Sequence, residues 1–159
     1  MKVFPFLLSI IVAASVASAE PVVVIMRHAE KAANDPKNPD LSPAGRARAE
    51  ALAKILKDAG ITTIFVTEFK RTQETAAPTA KETGVVPTIV GGKDIVNLLS
   101  KLRQAAGNVL VVAHGNTIPD IIKGLGIETP IQIPDEDYTD LFVVTLGEKP
   151  QLLRLRYPQ

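Results

Sequence analysis

The chain has 159 residues, of which 46% are hydrophobic and 22% charged, with a formal net charge of +1 and no cysteine. That length suits one domain with a well-covered core. The near-neutral charge and the lack of a basic run exclude a nucleic-acid footprint, and the missing cysteine excludes disulfides, thiolate zinc sites, a lipoprotein cysteine anchor and cysteine catalysis.

Residues 1–19 read as a secretory signal peptide. Lys2 is followed by an apolar stretch from Val3 to Val16, and Ala17-Ser18-Ala19 forms an A-x-A cleavage pattern. The apolar part is shorter than the roughly 20 residues of a membrane span, and Pro5 interrupts its start. An exported protein, periplasmic or secreted, is therefore expected, with residues 20–159 as its single domain and no membrane span after cleavage. Without Lys2, the Lys+Arg count falls from 18 to equal the 17 of Asp+Glu.

From Glu20 onward, strand and helix alternate. "VVVIM" (22–26) is a continuous apolar run of the kind found in strands covered on both faces. "ANDPKNPD" (33–40) is a loop. The next helix has Ser42 as N-cap, Pro43 in its first position and Gly60 as its stop, with Ala49, Leu52, Ala53 and Leu56 on one face. A strand over 61–67 precedes a helix over 71–84, expected to bend near Pro78. A strand over 86–90, a helix over 93–107, a fully apolar strand over 109–113 and a short helix over 118–126 follow. "TDLFVVTL" and "QLLRLRYP" flank Gly147 and Pro150 and read as a terminal hairpin. The order predicts a three-layer α/β/α sandwich with a mainly parallel sheet and an antiparallel C-terminal edge. Loops look short throughout, so no cap is expected over the sheet.

Ligands of open α/β sheets gather at the carboxyl ends of the strands. Arg27 and His28 follow the first strand; Glu68, Lys70 and Arg71 the second; Asp94 the third; His114, Gly115 and Asn116 the fourth. The chain's two histidines thus fall at one edge of the sheet. Two arginines suit phosphate oxygens. A neutral histidine is a nucleophile toward phosphorus, a charged one stabilises the transition state, and a carboxylic acid protonates the leaving group. Taken singly, each residue has an ordinary explanation. A histidine after a strand is commonly a structural hydrogen-bonding residue, Arg27 can be a surface ion pair, and two histidines can ligate a metal if carboxylates complete the set. Glu30 and Lys31 read as a rim pair, and Asn116 and Thr117 as the start of the next helix.

Four segments taken together resemble the histidine phosphatase superfamily, also called phosphoglycerate mutase-like. "MRHAEK" resembles the family's RHG signature, with Ala29 in place of glycine. "LSPAGRARAEALA" resembles its first-helix motif, "VTEFKRTQETA" its second phosphate-binding arginine segment, and "VVAHGNT" its second histidine segment. They stand in family order. The resemblance implies His28 as the nucleophile that becomes phosphorylated, Arg27 and Arg71 as phosphate clamps, and His114 as electrostatic partner. For the acid it points to Asp94, at the mutase-branch location, with Glu68 as the alternative; Asp94 reads equally well as a helix N-terminal residue. Gly115 stands where the acid-phosphatase branch has an aspartate. The implied activity is a metal-independent phosphatase with no cofactor, acting on a phosphorylated small molecule or, through an open groove, on a larger substrate. A non-catalytic phosphate-binding module and a mutase are the competing readings.

Overall fold

The computed structural model describes residues 20–157; the expected signal peptide lies outside the described residues. Six strands form one sheet in the order β3-β2-β4-β1-β5-β6. β1 (Val22–Arg27) and β4 (Asn108–Ala113) pair in parallel at its centre. β2 (Ile61–Val66) and β3 (Thr88–Ile89) extend it in parallel on one side. On the other side β5 (Asp140–Thr145) runs antiparallel to β1, and β6 (Gln151–Arg156) antiparallel to β5. The expected mixed sheet with its antiparallel edge hairpin is the observed one.

Apart from Arg27 at the end of β1 and Asn108 at the start of β4, the central strands are apolar because both faces are covered. On one face Leu52 and Leu56 of α1 (Pro43–Leu56) and Ala76 of α2 (Lys70–Thr83) pack on Val24, Met26, Ile64, Leu110 and Val112. On the other, Leu98 and Leu102 of α3 (Ile95–Gln104) and Ile118, Ile121 and Ile122 of α4 (Ile118–Gly124) pack on Val23, Ile25, Val109 and Val111. The alternation within each strand decides which helix layer a side chain meets.

Several elements are shorter than the sequence pattern suggests. α1 ends at Leu56 rather than running to Gly60, which instead takes a positive φ of 60° to turn into β2. β3 keeps only two ladder residues, and α3 begins after the cap Asp94. Pro78 lies inside α2, as expected, and Gly84 closes that helix in the left-handed conformation. The loops are not short throughout. The segment between α4 and β5, residues 125–139, is long and irregular, and it reaches back to Arg27 at the end of β1.

Candidate active site

The parallel strands end at a common edge, and the residues that follow them meet there. β1 ends in Arg27, and the His28 backbone N–H donates to Ala113 O of β4 at 2.9 Å, which draws the ends of β1 and β4 together. His28 and His114 lie with ring centroids 5.4 Å apart, edge to face. Both are buried, at 4% and 8% exposure.

The hydrogen bonds define the two imidazoles. His28 Nδ1 lies 2.9 Å from Ala29 O. A carbonyl only accepts, so Nδ1 carries the proton and Nε2 keeps a free lone pair. His114 Nδ1 lies 3.4 Å from Arg71 Nη2, a donor, so it accepts; Nε2–H then donates to Thr67 Oγ1 at 3.0 Å. Thr67 Oγ1 pairs with Thr72 Oγ1 at 2.9 Å, and Thr72 Oγ1–H donates to Phe69 O at 2.8 Å. The chain of hydroxyls fixes the second ring from behind. Burial first, then the charge of Arg71, lowers the pKa of His114 to about 4; burial, together with Arg71, His114 and Arg27, lowers that of His28 to about 3 against the support of the Ala29 carbonyl. Both rings are therefore neutral at pH 7 in the free protein. The charged second histidine expected from the sequence belongs to the transition state; in the phosphate-free protein, burial and the neighbouring guanidinium groups keep His114 neutral.

The two arginines present open donors. Arg27 Nη1 donates to the carbonyls of Pro134, Asp135 and Asp137 at 3.1, 2.6 and 3.2 Å. Arg27 Nε and Arg71 Nε are buried with no partner among the described residues. Buried charged donors without acceptors are costly, and a tetrahedral anion between the arginines supplies the missing acceptors. Burial and the nearby Arg27 charge lower the pKa of Arg71 against the attraction of Glu68. Each guanidinium also sits over an aromatic ring at 4.3 Å, Arg27 on Tyr138 and Arg71 on Phe69.

The carboxylates divide clearly. Asp94 is the N-cap of α3, and its Oδ1 accepts from Asn97 N at 3.3 Å. Glu68 Oε2 accepts from Gly92 N at 2.7 Å. A Cβ added to Gly92 would lie 3.4 Å from both Glu68 Oε2 and His114 Nε2, so these three groups adjoin. Among the carboxylates, it is Glu68 whose charge acts on His114 and Arg71. The preference for Asp94 as the acid is thus not what this geometry favours: the shortened β3 and the turn through Gly91 and Gly92 put Asp94 on the helix end.

Glu30 is not a rim partner of Lys31. It takes both Nε and Nη2 of the buried Arg48 on α1 at 2.6–2.9 Å. Asn116 precedes Thr117, the cap of α4, whose hydroxyl donates to His114 O at 3.2 Å. Sequence reasoning missed Thr67, Thr72, Thr75 and Tyr138. Thr75 accepts from Ala29 N at 2.9 Å and donates to Arg71 O at 2.6 Å, joining the loop after β1 to the helix that carries Arg71. A signal for the threonines exists in "RTQET", which puts Thr72 and Thr75 one and four residues after Arg71, on the buried face of α2. Tyr138 lies on an aperiodic loop and leaves none. Among the described residues no group of three or more His, Cys, Asp or Glu is arranged to hold a metal ion.

Residues 23–92 match the histidine phosphatase superfamily (branch 1). The fold is similar to that of the protein histidine phosphatase SixA complexed with tungstate, with TM-score 0.71 and 20% identity over 85% of this chain and 96% of that one. It is also similar to a SixA structure from Agrobacterium tumefaciens (TM-score 0.64, 17% identity, 86% and 98% covered) and to mycobacterial glucosyl-3-phosphoglycerate phosphatase (TM-score 0.63, 14% identity, 89% and 100% covered). No curated protein matches the sequence. The matched segment carries Arg27, His28, Glu68 and Arg71, so over residues 23–92 the chain is similar in sequence to the histidine phosphatase superfamily, and its likeness of fold to these structures extends over most of the chain.

Proposed function

We propose that this chain is an exported, metal-independent phosphatase that works through a phosphohistidine on His28. The observation that carries the reading is the pair of orphaned guanidinium Nε groups beside a neutral histidine whose Nδ1 proton is fixed by Ala29 O. A tetrahedral oxyanion satisfies the first, and the second leaves Nε2 free to attack it.

In the first step the Nε2 lone pair forms the N–P bond while the bond from phosphorus to the leaving group breaks. Arg27 and Arg71 hold the equatorial oxygens. The bound dianion favours protonation of His114 Nδ1, which then donates to the phosphoryl group while Nε2–H stays on Thr67. The leaving group takes a proton, for which Glu68 is the carboxyl group beside His114. In the second step water attacks phosphorus, its proton passes to the same carboxylate, the N–P bond breaks, and His28 returns to its neutral form. Neutral nucleophile and fixed donors need no metal.

The substrate class is a phosphomonoester or a related phosphoryl bond. A phosphoramidate such as phosphohistidine belongs in the first screen, because SixA, a protein histidine phosphatase, shares this fold. The N-terminal Lys2, the apolar run and Ala17-Ser18-Ala19 support export, with residues 20–159 as the working domain.

The test is phosphoryl transfer itself. The mature protein is expected to release phosphate from an aryl phosphate in the presence of chelator, and rapid quench is expected to trap acid-labile label on His28. His28→Ala is expected to reduce turnover to background. Full turnover by that variant, or a strict metal requirement, overturns the reading. Tight phosphate binding without label or turnover favours a binding module, and an isomerised ester a mutase.

A further inference from the structure

We propose that Tyr138 is a phosphoryl-binding residue of this site, its phenol O–H donating to a non-bridging oxygen of the bound phosphoryl group. The proposal rests on the phosphatase reading and adds a ligand group from outside the matched segment.

Three features of the geometry carry it. First, the Tyr138 ring stacks on the Arg27 guanidinium at 4.3 Å and lies 6.1 Å, centroid to centroid, from the His28 ring. The side chain thus adjoins both Arg27 and His28. A ring held against Arg27 and near His28 borders the space where an anion between them would lie. Second, the Tyr138 hydroxyl makes no hydrogen bond among the described residues, as Arg27 Nε and Arg71 Nε beside it make none. A tyrosine hydroxyl is both donor and acceptor; between two guanidinium groups, an added phosphate oxygen is the acceptor the site lacks.

Third, the loop is built to keep the ring there. Arg27 Nη1 is taken up by three carbonyls, of residues 134, 135 and 137. Asp137 Oδ1 accepts from Thr139 N at 2.9 Å and from Thr139 Oγ1 at 2.6 Å, closing the turn around Tyr138. From outside, Arg154 Nε and Nη2 bind Asp140 at 2.8 and 2.6 Å, and Arg154 Nη2 donates to Gln132 O at 3.3 Å. Arg27 therefore has two edges with two tasks. The Nη1 edge fastens the loop, and the orphaned Nε edge remains for phosphate.

The experiment compares Tyr138→Phe and Tyr138→Leu with the unmodified protein, reading the dissociation constant for inorganic phosphate by calorimetry and kcat/KM on an aryl phosphate. A hydrogen bond to a charged group is lost in Tyr138→Phe while the ring on Arg27 stays, so phosphate binding is expected to weaken about tenfold and kcat/KM to fall about ten- to a hundredfold, with the unfolding midpoint unchanged. Tyr138→Leu, which also removes the stacked ring, is expected to be worse on both. If Tyr138→Phe matches the unmodified protein while Tyr138→Leu is impaired, the ring merely props Arg27 and the proposal is wrong; equality of all three also overturns it. An unmodified protein that binds no phosphate overturns the phosphatase reading as well, so the two failures are distinguishable.

Discussion

Glu68 and Asp94 are separated by the hydrogen bonds each already makes. Asp94 caps α3 through Asn97 N, and a cap aspartate is worth about 0.5–2 kcal/mol of stability. Asp94→Asn, itself a good cap, is therefore expected to leave both the unfolding midpoint and kcat nearly unchanged, whereas Asp94→Ala lowers the midpoint alone. Glu68 accepts from Gly92 N beside His114. Glu68→Gln keeps an acceptor there but removes the proton donor. Its kcat is expected to drop about 10²-fold on an alkyl phosphate, whose leaving group needs the proton, and much less on a nitrophenyl ester, whose leaving group does not. Parallel losses on both substrates would show that Glu68 does not act as the acid. Sequence alone could not separate the two, since both follow strands at the same edge. What separates them is the two-residue length of β3, set by pairing with Phe65 and Val66 rather than by any residue near Asp94.

At the scale of elements, the site depends on how the N-terminus of α1 docks under the loop after β1. Ser42 caps the helix by accepting from Gly45 N at 3.0 Å, and Ser42 N donates to Glu30 O at 2.8 Å. Gly45 is required by close approach: a Cβ there would run into the carbonyl oxygen of Glu30. Arg48 then clasps the Glu30 carboxylate one turn along. His28 is two residues upstream, and its proton rests on the neighbouring Ala29 carbonyl. Gly45→Ala is expected to push the helix and this loop apart, costing about 1–3 kcal/mol as an overpacked contact and, under the proposed mechanism, lowering kcat by misplacing His28. Chemical denaturation alongside kinetics checks it; a variant with unchanged stability would show that the loop yields without strain. The Ser42-Pro43 start of this helix and its Ala49, Leu52, Ala53, Leu56 face were legible because they obey local rules of capping and periodicity. The burial of Arg48 was not, because its partner lies 18 residues away on a loop without periodicity.

For the whole molecule, the cost of the site is carried in its pH dependence. The histidines' positions at the ends of β1 and β4 were legible as the ends of apolar runs; their electrostatic state was not, since it arises first from their burial in the folded chain and then from α2 bringing Arg71 to them. Both have folded pKa values below the unfolded value, about 3 and about 4 against 6.5. Above pH 6.5 both states leave the rings neutral and the stability is complete. As pH falls below 6.5 the unfolded chain takes up two protons that the folded one refuses, so stability declines, by up to about 1.4 kcal/mol per pH unit for each ring, until the folded pKa values are reached. The carboxylates with lowered folded pKa values, Glu30, Asp35, Asp40 and Asp137, start from 4.5 or 3.8 and give up their contributions only at still lower pH. The window from 6.5 to about 4.5 therefore belongs to the histidines. Urea midpoints measured across it are expected to fall steeply for the phosphate-free protein, and clearly less for a variant with both His28 and His114 replaced by asparagine. Equal slopes for the two proteins would mean that the rings are hydrated in the folded state, and that the neutral His28 on which the proposed reaction depends is not prepared in advance.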